Sequence, residues 1–165
     1  MKGHYNVLFV CTGNSARSIL AEAVMNHLGR ERFTAYSAGN HPMGQVHPMA
    51  LDVLAGVGLP TAGLRSKSWN EFAGPDAPVM DFVITVCDRT AGEPCPIWPG
   101  HPITAHWSVP DPSAESGAPE QIRKAFAAAL HTLQQRISLM QSLRVDALDR
   151  LAIKGALHSD ALSNT

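Results

Sequence analysis

Cys11-Thr12-Gly13-Asn14-Ser15-Ala16-Arg17-Ser18 holds a thiol and a guanidinium separated by five small or polar residues. Residues of these types at this spacing suit nucleophilic attack on a bound tetrahedral oxyanion. Successive backbone N–H groups in a short loop cradle negative oxygens, and the planar fork of Arg17 grips two of them at once. Cys11 supplies the nucleophile, and Ser18 is placed to hydrogen-bond its sulfur. Gly13 lets the backbone come close to the ligand. At the mouth of so positive a concavity a thiol normally ionises more readily, so Cys11 is expected to be a thiolate at neutral pH. A buried strand-end cysteine and a surface arginine would account for Cys11 and Arg17 singly, but not for Gly13, Asn14, Ser15 and Ser18 between them. The loop lacks the second glycine and the Lys-Ser/Thr pair of a Walker sequence, and no G-x-G-x-x-G follows a strand, so nucleotide binding is not expected.

Two further features carry chemistry. Seven residues separate Cys87 from Cys95, Gly92 and Pro94 among them. Such a spacing allows a short helix or loop to hold the sulfurs apart when reduced and bring them together when oxidised, a rearrangement that a disulfide's Cα separation of about 7 Å or less requires. The alternative is a core cysteine beside an incidental one. A zinc site on Cys87, Cys95, His101 and His106 is disfavoured by the wide cysteine spacing, and no metal is expected. Asp111 stands between Pro110 and Pro112, which restrict the backbone and fix where its carboxylate points. Held above the loop, it would protonate a departing oxygen. His41 and His47 lie where either could flank the site, but both read as solvated loop residues.

The elements must deliver these groups to one place. Tyr5 to Val10 reads as a buried strand, and Ser18 to Met25 reads as a helix, so Cys11 to Arg17 spans a strand-to-helix turn. A helix N-terminus carries partial positive charge and unpaired donors, which favours an anion there. Phe33 to Gly39 is a second strand, and a helix begins at Pro48 and is closed by Gly56 and Gly58. Asp81 to Cys87 is a third, central strand, and Ile103 to Trp107 a short fourth. Pro119 opens a long helix to about Leu143, with Phe126, Ala129, Leu130, Leu133 and Ile137 on one stripe. The expected product is an α/β fold: a single doubly wound domain, four parallel strands flanked by helices, spanning residues 1–145. The tail over residues 146–165 adds at most a short helix through Leu148, Leu151 and Ile153. In such folds ligands bind at the carboxyl ends of the strands, where Cys11, Cys87 and the loop after Trp107 converge.

Composition narrows the function class. A formal net charge of −1 gives no general attraction to nucleic acid or to anionic membranes, and neither partner is expected. No apolar run approaches a membrane span, and without a charged segment and apolar core at the first residues no signal peptide is expected. Three cysteines fit reactive thiols in a reducing compartment, so a cytoplasmic location is expected; a monomer is also expected.

Val7 to Ser18, with Ser37-Ala38-Gly39 and Pro110-Asp111-Pro112, resembles the low-molecular-weight protein tyrosine phosphatases. Cys87, Cys95, Pro96 and His106-Trp107 are more similar to the arsenate reductases built on that fold, and the resemblance covers about residues 5–140. It implies reduction of arsenate to arsenite, with Cys11 as nucleophile, Arg17 and Thr12 to Ser18 binding the oxyanion, and Asp111 as acid. It also implies that Cys87 and then Cys95 carry the oxidation, with no bound cofactor. An external thiol, thioredoxin or glutathione with glutaredoxin, would restore the enzyme. Three departures stand out. Ala16 replaces a second loop cysteine found in many relatives, and Cys87 and Cys95 are slightly farther apart than in the thioredoxin-coupled pattern. Lys67 falls where some relatives carry an acid that helps bind potassium, which argues against carrying an ion site over to Asn14, Glu22 and Ser37. Two alternatives remain open: a tyrosine phosphatase using the same Cys11, Arg17 and Asp111, and a non-enzymatic oxyanion-binding or redox-sensing protein. Pro112 to Glu115 offers no aromatic wall for a phenyl ring, which disfavours the first.

Overall fold

The β-branched and aromatic run at the start of the chain forms the strand at the middle of the sheet. A computed structural model describes residues 3–87, 98–143 and 157. Strand β1 (Tyr5–Cys11) is flanked by β2 (Phe33–Gly39) and β3 (Phe82–Thr85), and β4 (Ile103–His106) lies beyond β3. All three pairings are parallel, giving the order β2-β1-β3-β4. Parallel strands need both faces covered, and the sequence supplies apolar residues to both. On one face Val7, Phe9 and Phe82 pack with Leu20 and Val24 of helix α1 (Arg17–Leu28), Leu54 of α2 (Pro48–Gly56) and Phe126, Leu130 and Leu133 of α3 (Pro119–Gln141). On the other, Leu8, Val10 and Val83 pack with Trp69, Phe72, Met80 and Trp98. The alternation of Val7 and Phe9 with Leu8 and Val10 follows from the two-residue period of a strand.

The expected α/β sheet is present, with the second strand and the start of the long helix at the expected residues. Two strands are shorter than their apolar runs, which extend from Asp81 to Cys87 and from Ile103 to Trp107. The ends are still bonded to the sheet, since Val86 N donates to Val10 O and Trp107 N to Thr85 O. Beyond these bonds the chain leaves the ladder at both places. That departure carries Cys87 toward the β1–α1 turn and lets Val109 to Asp111 overhang it. Cys95 and the tail helix expected over Leu148 to Ile153 lie outside the described residues. Leu157 is described and is fully buried in the main core.

Candidate active site

The turn from Cys11 to Ser18 is held in shape by its carbonyls. Thr12 O accepts from His41 N, Gly13 O from Met43 N, and Ser15 O from His47 N, all at 2.9 Å. In a trans peptide the carbonyl and the following N–H point in opposite directions. The amides of Gly13, Asn14 and Ala16 therefore turn away from the 41–47 loop and are presented to an anion. Helix α1 has Ala16 as its N-cap residue, without a side-chain cap and without an acid in its first turn. No side chain of the N-cap or first turn competes for its first amides, which suits an oxyanion site.

Asn14 sits at φ 46°, a left-handed conformation that asparagine tolerates better than most residues. Two side-chain bonds fix it there: Oδ1 accepts from Lys67 N at 2.9 Å, and Nδ2 donates to Ser18 Oγ at 2.8 Å. Because Ser18 Oγ accepts that bond, its own proton is directed to Cys11 Sγ, 2.9 Å away. Gly39, paired in register with Cys11, passes directly behind the turn. A Cβ on Gly39 would lie 2.5 Å from Thr12 O and 2.8 Å from Cys11 O, against backbone that cannot yield without reshaping the cradle. Gly39→Ala is therefore expected to cost about 1–3 kcal/mol of stability. Phosphate affinity should fall by roughly ten- to a hundredfold as the amides are displaced. Denaturant titration and calorimetric phosphate binding check both effects, and unchanged phosphate affinity would contradict the packing argument.

The other candidates meet at this turn. Cys87 is buried, with Thr12 N donating to its sulfur at 3.3 Å and Thr12 Oγ1 lying 3.4 Å from it. Arg17 Nη1 donates to Val109 O at 3.0 Å, and Nη2 lies 3.6 Å from Asp111 Oδ2. Asp111 caps a short 3₁₀ turn, its Oδ1 accepting from Ser113 N at 3.0 Å and Ser113 Oγ at 2.7 Å. Oδ2 therefore faces Arg17 and the cleft. Together Cys11, Arg17, Cys87 and Asp111 line an open cleft of about 730 Å³, rimmed by His41, Met43 and His47.

Two sequence expectations need correction. Burial pushes the Cys11 thiol above its ordinary range. The Ser18 hydroxyl and backbone amide pull it down, Cys87 adds to the rise, and Arg17 opposes it weakly. The donors expected to create a thiolate are present, but they act on a sulfur that is only 3% exposed. Second, His47 is not a solvated loop residue. It is the N-cap of α2, its Nδ1 accepting from Met49 N, and its ring lies 4.6 Å from that of Phe126. No sequence signal marked Ser66, whose hydroxyl donates to Gly13 O from a segment without periodicity. Lys67 also proves to be part of the structure under the turn, with its ammonium beside Glu22, Ser37 and the Arg65 carbonyl. Among the described residues no three metal-ligating side chains cluster, and no helix is long and apolar enough to cross a membrane.

The model of the low molecular weight phosphotyrosine protein phosphatase family matches residues 6–148. An arsenate reductase of Shouchella clausii is 31% identical over 131 residues, covering 79% of this chain and 91% of the relative. One from Bacillus licheniformis is 33% identical over 133 residues, with the same two coverages of 79% and 91%. Among solved structures, an arsenate reductase in its phosphate-binding state superposes with a TM-score of 0.68 at 27% identity, over 84% of this chain and 97% of that one.

Proposed function

Because the chain belongs to the low molecular weight phosphotyrosine protein phosphatase family, with arsenate reductases as relatives over most of its length, we propose that it reduces arsenate to arsenite through a relay of three thiols. Arsenate enters the cradle and is held by the amides of the turn and by Arg17. The Cys11 sulfur attacks the arsenic, and any proton that the thiol carries passes to the arriving arsenate, a base. A sulfur–arsenic bond forms and an arsenic–oxygen bond breaks, with Asp111 protonating the oxygen that leaves as water.

Cys87 then attacks the sulfur of the Cys11 adduct. The new S–S bond forms while the S–As bond breaks, and its electron pair stays on arsenic, which departs as arsenite. Cys95 attacks Cys87 next, forming Cys87–Cys95 and releasing Cys11 as a thiolate. An external thiol reductant supplies the two electrons that complete the cycle, either the dithiol of thioredoxin or two equivalents of glutathione with glutaredoxin. The reducing thiol pool of the cytoplasm fits that requirement.

The observation that carries this reading is Cys87 against Thr12, one residue from the nucleophile. Phosphate hydrolysis has no use for a second sulfur there, whereas reduction needs one within reach of the adduct. An N–H donor on that sulfur also stabilises the attacking thiolate. Disulfide mapping by mass spectrometry, after arsenate is added to reduced protein without a regenerating thiol, tests the relay. Wild type is expected to form Cys87–Cys95, Cys95→Ser to trap Cys11–Cys87, and Cys11→Ser to form neither. Three free thiols in wild type after arsenate exposure would overturn it.

A further inference from the structure

Ser66 and Lys67 form a strut beneath the oxyanion turn. Ser66 Oγ donates to Gly13 O at 3.1 Å, Lys67 N donates to Asn14 Oδ1 at 2.9 Å, and Gly39 N donates to Lys67 O at 2.9 Å. The Lys67 side chain is buried, an unusual position for a lysine. Its Nζ donates to Arg65 O at 2.8 Å and to Ser37 Oγ at 3.4 Å, and lies 3.7 Å from Glu22 Oε1. Ser37 Oγ in turn donates to the same Glu22 oxygen at 2.5 Å. Glu22 projects from α1, the helix whose N-terminus forms the anion site, and Ser37 from β2, next to β1. The cluster therefore ties the strut to both elements that flank Cys11.

We infer that Lys67 is a positioning residue for the Cys11 nucleophile: its ammonium, fixed by Glu22, Ser37 and the Arg65 carbonyl, clamps the strut that holds Asn14 and, through Asn14 and Ser18, the sulfur. The inference rests on Cys11 being the nucleophile of an oxyanion site and is independent of any later thiol step. The line of contacts is continuous, from Lys67 N to Asn14 Oδ1, from Asn14 Nδ2 to Ser18 Oγ, and from Ser18 Oγ to Cys11 Sγ. Burial disfavours the charge of both Glu22 and Lys67, and each is opposed by the other's charge. Losing either partner leaves an uncompensated group under the turn, which makes the pair an all-or-none clamp.

Lys67→Ala removes the ammonium and leaves a space bounded by a carboxylate, a hydroxyl and a carbonyl, the set of acceptors that suits a small alkylammonium ion. Phosphate affinity and the rate of iodoacetamide alkylation at Cys11, mapped by mass spectrometry at fixed pH, are expected to fall by roughly 3- to 30-fold. Methylammonium should restore both, while tetramethylammonium at equal ionic strength should not. Glu22→Gln, close in volume, is expected to lower both in the same way, and Asp52→Ala, in an exposed ion pair with Arg123, to leave both unchanged. General loosening of the fold would expose the sulfur and speed alkylation instead. Faster alkylation, unchanged phosphate affinity in folded Lys67→Ala or Glu22→Gln, or a loss that methylammonium does not reverse would overturn the clamp. Neither readout requires arsenate, Cys87 or Cys95, so failure of the relay and failure of the clamp are separable.

Discussion

Cys87→Ser is expected to lower arsenate turnover by about 10³-fold or more, the scale of losing a group that acts as part of a unit. Hydrolysis of an aryl phosphate should stay within about threefold of wild type, because exchanging one neutral hydrogen-bonding atom for another changes a contact by only about 0.5 kcal/mol. Serine is close to isosteric with cysteine, and its hydroxyl can keep the contacts with Thr12 N and Thr12 Oγ1 that now hold the sulfur. What it cannot do is displace arsenic from the Cys11 sulfur, since a hydroxyl oxygen is a poor nucleophile toward divalent sulfur. Hydrolysis draws on the cradle, Arg17, Asp111 and water, and no bond in it involves Cys87. The two activities share every other group in the cleft, so their separation by one atom isolates the redox step. Arsenite formation coupled to NADPH consumption, beside release of p-nitrophenol from its phosphate, measures the split. Retained arsenite formation would exclude Cys87 from the relay. A parallel fall in both activities would show that Cys87 builds the cradle and does not react.

The site was legible in sequence where local chain geometry alone determines it. A strand that ends in Cys11 and a helix that begins at Arg17 fix a turn, and a turn of small residues at a helix N-terminus binds anions whatever the rest of the fold does. Ser18 returning to the Cys11 sulfur follows from the same local geometry. The parts that were not legible depend on distant segments. Charge counting predicted a thiolate at Cys11, but the sign of its shift is decided by burial, which comes from the packing of strands and helices far along the chain. His47 reads as a loop histidine because its ring partner, Phe126, is 79 positions later. Histidine is also not among the residues usually preferred at an N-cap. Lys67 was visible as a departure from a pattern, yet its role depends on Glu22, Ser37 and Asn14, which meet only through the β2–β1 pairing. The apolar runs ending at Cys87 and Trp107 marked two strands but not where the chain leaves them. The last ladder bonds at Val86 and Trp107, followed by Pro110 without an amide donor, decide that.

Asp111→Asn should separate binding from turnover, strengthening one as it weakens the other. Oδ1 of Asp111 is occupied by Ser113, so the face toward Arg17 and the cleft is Oδ2 alone. That oxygen has two opposing effects. As a carboxylate it competes with the incoming oxyanion for the Arg17 guanidinium and repels the anion itself. As the protonated acid it supplies the hydrogen that an oxygen needs to leave. Asparagine keeps the cap on the 3₁₀ turn and removes both the charge and the transferable proton. Because Asp111 is 40% exposed, solvent screens its charge, and phosphate binding is expected to tighten only by about two- to fivefold, the range of an exposed ion pair. Turnover should fall by roughly 10²- to 10⁴-fold, the usual contribution of a positioned acid. The loss should be smaller for p-nitrophenyl phosphate, whose leaving group needs little protonation, than for phenyl phosphate. Calorimetric titration with phosphate and steady-state rates on the two esters and on arsenate provide the comparison. Equal losses on both esters would remove Asp111 from the acid role. Weaker phosphate binding would mean that the Arg17–Asp111 contact orients the guanidinium for the ligand and does not compete with it.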